Sequence, residues 1–190
     1  MIRKVLFICC FLVLFASTSF SAIRVGEQLP VFTGTDLNGQ PLDLKQYVGE
    51  KPMMMVFWTS WCGDCPEKLA AINELVRRYG KEDIQFVGVN VGMNDTVEDA
   101  KAFIKENKMT YPNVFDKTGE LSEKYQLNKV FALILVSKDG TMMMRLNNIP
   151  DMDSSVLEML NSYNSPYSRK GAGDAVNGEG INWHTLISMI

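Results

Sequence analysis

The sequence predicts an α/β protein, a mixed central sheet with helices on both faces and a hairpin and helix at its C-terminal end. Three observations carry that expectation. Residues 51–58 and 84–91 are continuous apolar runs of strand length, as expected of strands buried on both faces. Between and after them, apolar side chains recur at three- and four-residue steps, the period of a helix with one face in a core. Further on, Lys138-Asp139-Gly140 separates two more apolar segments as a hairpin turn would. A chain of 190 residues, 46% hydrophobic and 22% charged, is also the size and composition of one globular domain.

Residues 1–21 read as a secretory signal. Arg3 and Lys4 form the charged start, residues 5–16 the apolar stretch, and Ser19-Phe20-Ser21 a small-x-small cleavage site. The apolar stretch is short for a bilayer, but thinning and flanking residues accommodate such segments. The expectation therefore covers a cleaved leader and an uncleaved membrane tether through residues 4–22. Cys9 and Cys10 belong to this segment, and bulky Ile8 argues against lipidation at Cys9.

Residues 25–39 follow as an extended segment ending in the Asn38-Gly39 turn signal, and residues 42–47 as a short helix or turn. After the strand at 51–58, a helix is predicted over 62–80. Leu69, Ile72, Leu75, Val76 and Tyr79 supply its apolar face, and Gly80 closes it. Beyond the strand at 84–91, Asn94-Asp95-Thr96 offers caps for a helix over 97–108 built on Ala100, Phe103 and Ile104. A short strand at 113–115, a short helix at 121–125, strands at 131–136 and 141–146, and a helix over 153–163 complete a domain spanning 22–164.

From Ser165-Pro166 the composition changes. Gly171, Gly173, Gly178 and Gly180 read as a linker, and Trp183, Leu186, Ile187 and Ile190 fall at i, i+3, i+4 and i+7. If helical, that tail over 165–190 presents one apolar face to a partner or to the domain itself, with His184 as an exposed polar member. Eight residues are too few for a stable isolated helix.

The formal charge is −3, from 19 basic and 22 acidic residues. Removing Arg3 and Lys4 leaves 17 against 22, about −5, and no basic tract marks a binder of nucleic acid or anionic lipid. Met53-Met54-Met55 and Met142-Met143-Met144 lie on predicted strands, where successive side chains face opposite ways. Flexible core filling accounts for them better than a copper site does.

The stretches Val25-Gly26-Glu27, Asp36-Leu37-Asn38-Gly39, Phe57-Trp58-Thr59-Ser60-Trp61-Cys62-Gly63-Asp64-Cys65, Gly88-Val89-Asn90 and Asp139-Gly140, onward to about residue 162, resemble exported thioredoxin-like proteins of the TlpA and ResA type. The resemblance implies a thioredoxin fold. It also implies a role, in the periplasm or cell envelope, in reducing the disulfides of client proteins with electrons from an upstream donor.

The dithiol block lies where a strand gives way to a helix. A thiolate there is stabilised by free backbone N–H groups and the positive end of the macrodipole. Cys62, at or just before the first helical residue, is the expected exposed nucleophile, and Cys65, one turn inward, the resolving thiol. No cofactor is expected beyond the redox-active disulfide Cys62–Cys65. Zinc would want about four ligands where the exported chain offers two thiols and His184. A purely structural disulfide between residues three apart removes little chain entropy. Thr59-Ser60-Trp61-Cys62 has the Thr-x-x-Cys spacing of peroxiredoxins, but Met55 stands where their proline would be and no arginine partner is identifiable.

Trp61, Gly63 and Asp64 support the pair. Asp64 either repels the Cys62 thiolate, opposing the pKa depression and favouring a reductant, or merely favours the helix start. Two positions depart from the family pattern. Phe131 stands where such proteins carry a cis-proline, and a cis bond at a non-proline residue would cost about 3 kcal/mol. The expectation is therefore a displaced loop, with Phe131 covering the sulfurs. Lys68 replaces the glutamate that handles the buried thiol's proton, leaving Glu67 beside it as an uncertain acceptor, while Val56 takes the place of thioredoxin's aspartate. The function expected is thus thiol-disulfide exchange. A thioredoxin-fold binding module with weak or no turnover is the alternative, and a thiol peroxidase the third reading.

Overall fold

A computed structural model describes residues 23–127, 129–152 and 154–161. The predicted signal and tether with Cys9 and Cys10, and the tail with Trp183, His184, Leu186, Ile187 and Ile190, lie outside the described residues.

The leading segment turns back on itself. Asp36 Oδ1 accepts hydrogen bonds from the backbone N–H groups of Asn38 and Gln40 at 2.9 and 2.8 Å, and Gly39 adopts φ +81°. This turn joins β1 (Thr33–Thr35) to β2 (Pro41–Asp43) in a two-stranded antiparallel sheet. Residues 42 and 43 are therefore strand rather than the helix or turn expected, and the 3-10 turn occupies Leu44–Tyr47. Asp43 caps that turn by accepting from Lys45 N at 2.9 Å.

The main sheet has five strands, β3 (Met53–Trp58), β4 (Gln85–Asn90), β5 (Asn113–Phe115), β6 (Ala132–Val136) and β7 (Met142–Leu146), in the spatial order β5-β4-β3-β6-β7. The β3–β4 and β4–β5 pairs are parallel, and β6 runs antiparallel to both β3 and β7. The helices are α1 (Cys65–Tyr79), α2 (Val97–Glu106), α3 (Glu120–Lys124) and α4 (Ser154–Asn161).

Every side chain of β3 is buried, and alternation splits them between two cores. Met54, Val56 and Trp58 pack with Leu69 and Ile72 of α1, Ala100 and Phe103 of α2, and Val156 and Leu160 of α4. Met53, Met55 and Phe57 pack on the other face with Leu29, Leu42, Leu44 and Tyr125, with Leu121 of α3 at the margin. The second face is thus roofed mainly by the leading segment, with only the short α3 as its helix. The methionines of both runs are core residues, from 0 to 8% exposed.

Two polar arrangements brace the end of the sheet nearest the dithiol. The Trp58 indole stacks on Phe103 with ring centroids 5.2 Å apart, while its Nε1 donates to Asn113 Oδ1 at 3.0 Å. Asn113 Nδ2 in turn donates to the Tyr111 carbonyl at 2.7 Å. Asp95, expected only as part of a capping stretch, accepts from Ser60 N at 2.7 Å, from Asn90 Nδ2 at 2.6 Å, and from the Ser60 hydroxyl. The N-cap of α2 is Thr96, which accepts from Asp99 N.

Candidate active site

Helix α1 starts at Cys65, later than the expected residue 62, so Cys62 sits in the turn that feeds it. The Cys65 N–H donates to the Cys62 carbonyl at 3.2 Å, which closes that turn. Pro66 marks the start in physical terms, because a residue without an N–H is tolerated in the first helical turn, where the donor would lack a partner.

Cys62 and Cys65 are joined by a disulfide, with their Cα atoms 5.3 Å apart. Cys65 is fully buried, and Cys62, expected to be exposed, retains 7% of its surface. The reason is packing. Phe131 is 2% exposed in the same core cluster as both sulfurs. Trp61 is instead 51% exposed, held by its indole Nε1 donating to the Met93 carbonyl at 2.7 Å. Gly63 is exposed, with open space where a Cβ would stand.

The peptide bond between Val130 and Phe131 is cis. That corrects the expectation of a loop without a cis bond.

Asp64 is the N-cap residue of α1, yet its side chain makes no capping hydrogen bond. It turns instead to the dithiol and to Lys68. Its Oδ1 lies 3.3 Å from Cys62 Sγ, and its Oδ2 accepts a 2.7 Å ion pair from Lys68 Nζ. Hydrogen bonding to Lys68, and then the lysine's charge, hold the Asp64 carboxyl below the usual aspartate range. Lys68 also stands 5.4 Å from the centre of the Phe131 ring.

One carboxylate oxygen of Asp64 and the two sulfurs all lie within 4.8 Å of one another. Asp64 is thus the carboxylate that lies beside the disulfide, and Glu67 is exposed outside this group. The sequence signal for the Asp64–Lys68 pair is an acid between the cysteines and a lysine one turn on, at i and i+4. Thr59 is wholly buried, and its hydroxyl has no hydrogen-bond partner among the described residues.

The AhpC/TSA family model matches residues 25–145. The thiol-disulfide oxidoreductase ResA of Geobacillus kaustophilus is 30% identical over 123 residues, covering 65% of this chain and 69% of that protein. ResA of Bacillus thuringiensis subsp. konkukian is 28% identical over 123 residues, again 65% and 69% of the two chains. Among solved structures, the thioredoxin domain of a thiol-disulfide oxidoreductase from Bacteroides vulgatus superposes with a TM-score of 0.63 at 23% identity. It covers 74% of this chain and 100% of that one, and shows the shared fold. With its thioredoxin-like sheet and its Cys62–Cys65 pair, the chain belongs to the AhpC/TSA family, as a thiol-disulfide oxidoreductase of the TlpA/ResA type.

Proposed function

We propose that this oxidoreductase is exported to the cell envelope and reduces disulfides of client proteins, with Cys62 as nucleophile and Cys65 as resolving thiol. The observation that carries the reading is the asymmetry of the pair, since Cys62 retains 7% of its surface beside exposed Trp61 while Cys65 retains none. Export is supported by the charged, apolar and small-x-small order of residues 1–21. Among the described residues no helix is long and apolar enough to cross a membrane.

The exchange balances without an external cofactor. In the reduced protein the Cys62 thiolate attacks one sulfur of a client disulfide, forming a Cys62–client bond and releasing the other client sulfur as a thiolate, which takes up a proton. Cys65 then loses its proton and attacks Cys62 Sγ, releasing the second client thiol and leaving the Cys62–Cys65 disulfide. Two electrons and two protons pass to the client. An upstream dithiol donor restores the starting state.

The test pairs a redox titration with a disulfide-reduction assay on wild type, Cys62→Ser and Cys65→Ser. A reversible two-electron couple, turnover lost in Cys62→Ser, and a trapped client mixed disulfide in Cys65→Ser are expected. Equal inactivity of wild type and Cys62→Ser overturns the reading.

A further inference from the structure

A cavity of about 500 Å³ opens directly beside the dithiol, between the loops that follow β4 and β5 and the loop that precedes β6. Trp61, bonded to Cys62, forms one wall, and Val130, bonded to Phe131, forms another. The cavity is therefore one residue along the chain from both Cys62 and Phe131, within reach of residues that flank a cysteine held at Cys62. Trp61 and Met93, which line it, are 51% and 60% exposed and are two of the three large apolar side chains exposed among the described residues. Exposed apolar surface gathered in one concavity marks a contact site rather than ordinary surface scatter.

The charge of the lining is as informative as its shape. Lys117 and Lys129 line the cavity and no aspartate or glutamate does, although the chain as a whole carries −3. Neither lysine forms an ion pair with a described residue. Of the nearby acids, Glu120 and Glu123 stand exposed on α3 beside Gly119 and Ser122 without lining the cavity, and two others are committed elsewhere. Asp116, only 5% exposed, accepts from the backbone N–H groups of Leu121 and Ser122 and from the Ser122 hydroxyl. Asp95 is taken by Ser60 and Asn90. Two unpaired ammonium groups over an apolar floor, next to the reactive sulfur, call for a segment that brings both an apolar side chain and a negative charge.

We propose that this cavity receives the residues flanking the client cysteine and selects client segments that carry carboxylates. The inference rests on the reading of the protein as a client-disulfide reductase and names the substrate class of that same site.

The test is single-turnover reduction by the pre-reduced full chain of two synthetic peptides, each closed by one disulfide. They are identical except that the flanking residues are Asp and Glu in one, Asn and Gln in the other. Wild type is expected to reduce the acidic peptide about tenfold faster below saturation, the combined effect of two exposed charge pairs, with the advantage shrinking as salt is raised. The charge-reversed variant Lys117→Glu with Lys129→Glu is expected to lose that preference, read as the ratio of the two peptide rates so that any common change in thiol reactivity cancels, while still reducing the neutral small molecule bis(2-hydroxyethyl) disulfide.

Equal rates for the two peptides with wild type overturn the inference and leave the reductase reading standing. A preference that survives both charge reversals also overturns it. So does a preference that vanishes when residues 165–190 are removed, because the tail would then be the charge-reading element. If neither the peptides nor the small disulfide is reduced, the reductase reading itself falls, and this one with it.

Discussion

At the scale of single residues, the dithiol is governed by two opposite charges one helical turn apart. Asp64 places a carboxylate oxygen 3.3 Å from Cys62 Sγ, and Lys68 neutralises much of it through the ion pair at 2.7 Å. The two variants that break this pair should therefore move the site in opposite directions. Asp64→Asn leaves the lysine alone and should lower the Cys62 thiol pKa, making the couple more oxidising by about 10–30 mV. Lys68→Met leaves the carboxylate unopposed and should raise that pKa and make the couple more reducing by a similar amount. Thiolate absorbance against pH and equilibration with glutathione measure both. Shifts of the same sign in the two variants would show that the pair acts through structure and not through charge.

At the scale of elements, the backbone of the sheet leaves no room at Gly88. A Cβ there would overlap Asn113 Oδ1, stand 2.6 Å from Asn113 Cγ, and crowd the Tyr111 ring at 3.1 Å. Gly88→Ala should displace the amide that accepts from Trp58 and lower stability by about 2–4 kcal/mol, read as a fall in the denaturant midpoint with unchanged slope. Helix α1 carries its own pH signature. Hydrogen bonding to Arg77, then the charges of Arg77 and Arg78, hold Glu74 down to about 2. A carboxyl with a depressed folded pKa contributes stability that is complete above its ordinary value near 4.5 and is lost as pH falls toward 2. The group lies at the surface, so the effect is small. It should appear as a slight acid-side loss of thermal stability in wild type that is absent from Glu74→Gln.

The same scale explains what the sequence disclosed. Strands β3 and β4 were legible because burial on both faces demands unbroken apolar runs, and α1 because Leu69, Ile72 and Leu75 keep helical spacing. The pairing of β1 with β2 was not, since the residues of β1 are all exposed and leave no alternation to read. Nor was the Val130–Phe131 conformation, which no residue type at that place announces. At the site, the dithiol was plain from its spacing. The partnership of Asp64, Lys68 and Phe131 brings a helix face against a distant loop, and only the folded chain joins them.

At the scale of the whole molecule, Val156 and Leu160 of α4 close the core just before the end of the described residues at 161. A chain ending at residue 164 should therefore keep the wild-type thermal midpoint and redox potential, measured by circular dichroism and glutathione equilibration. Loss of either would show that residues 165–190 belong to the domain rather than to a separate docking tail.

The border of the sheet at β7 is closed by the leading segment. Met142 exchanges backbone hydrogen bonds with the leading segment, donating to the Glu27 carbonyl at 2.9 Å and accepting from Gly26 N at 2.8 Å, while Leu29 N donates to the Gly140 carbonyl. Those few residues act as a selvedge, finishing a methionine-rich strand whose amides would otherwise invite another copy of the chain to pair with it. Removing the chain as far as Leu29 would unpick that hem and leave the amides of β7 open to a second copy.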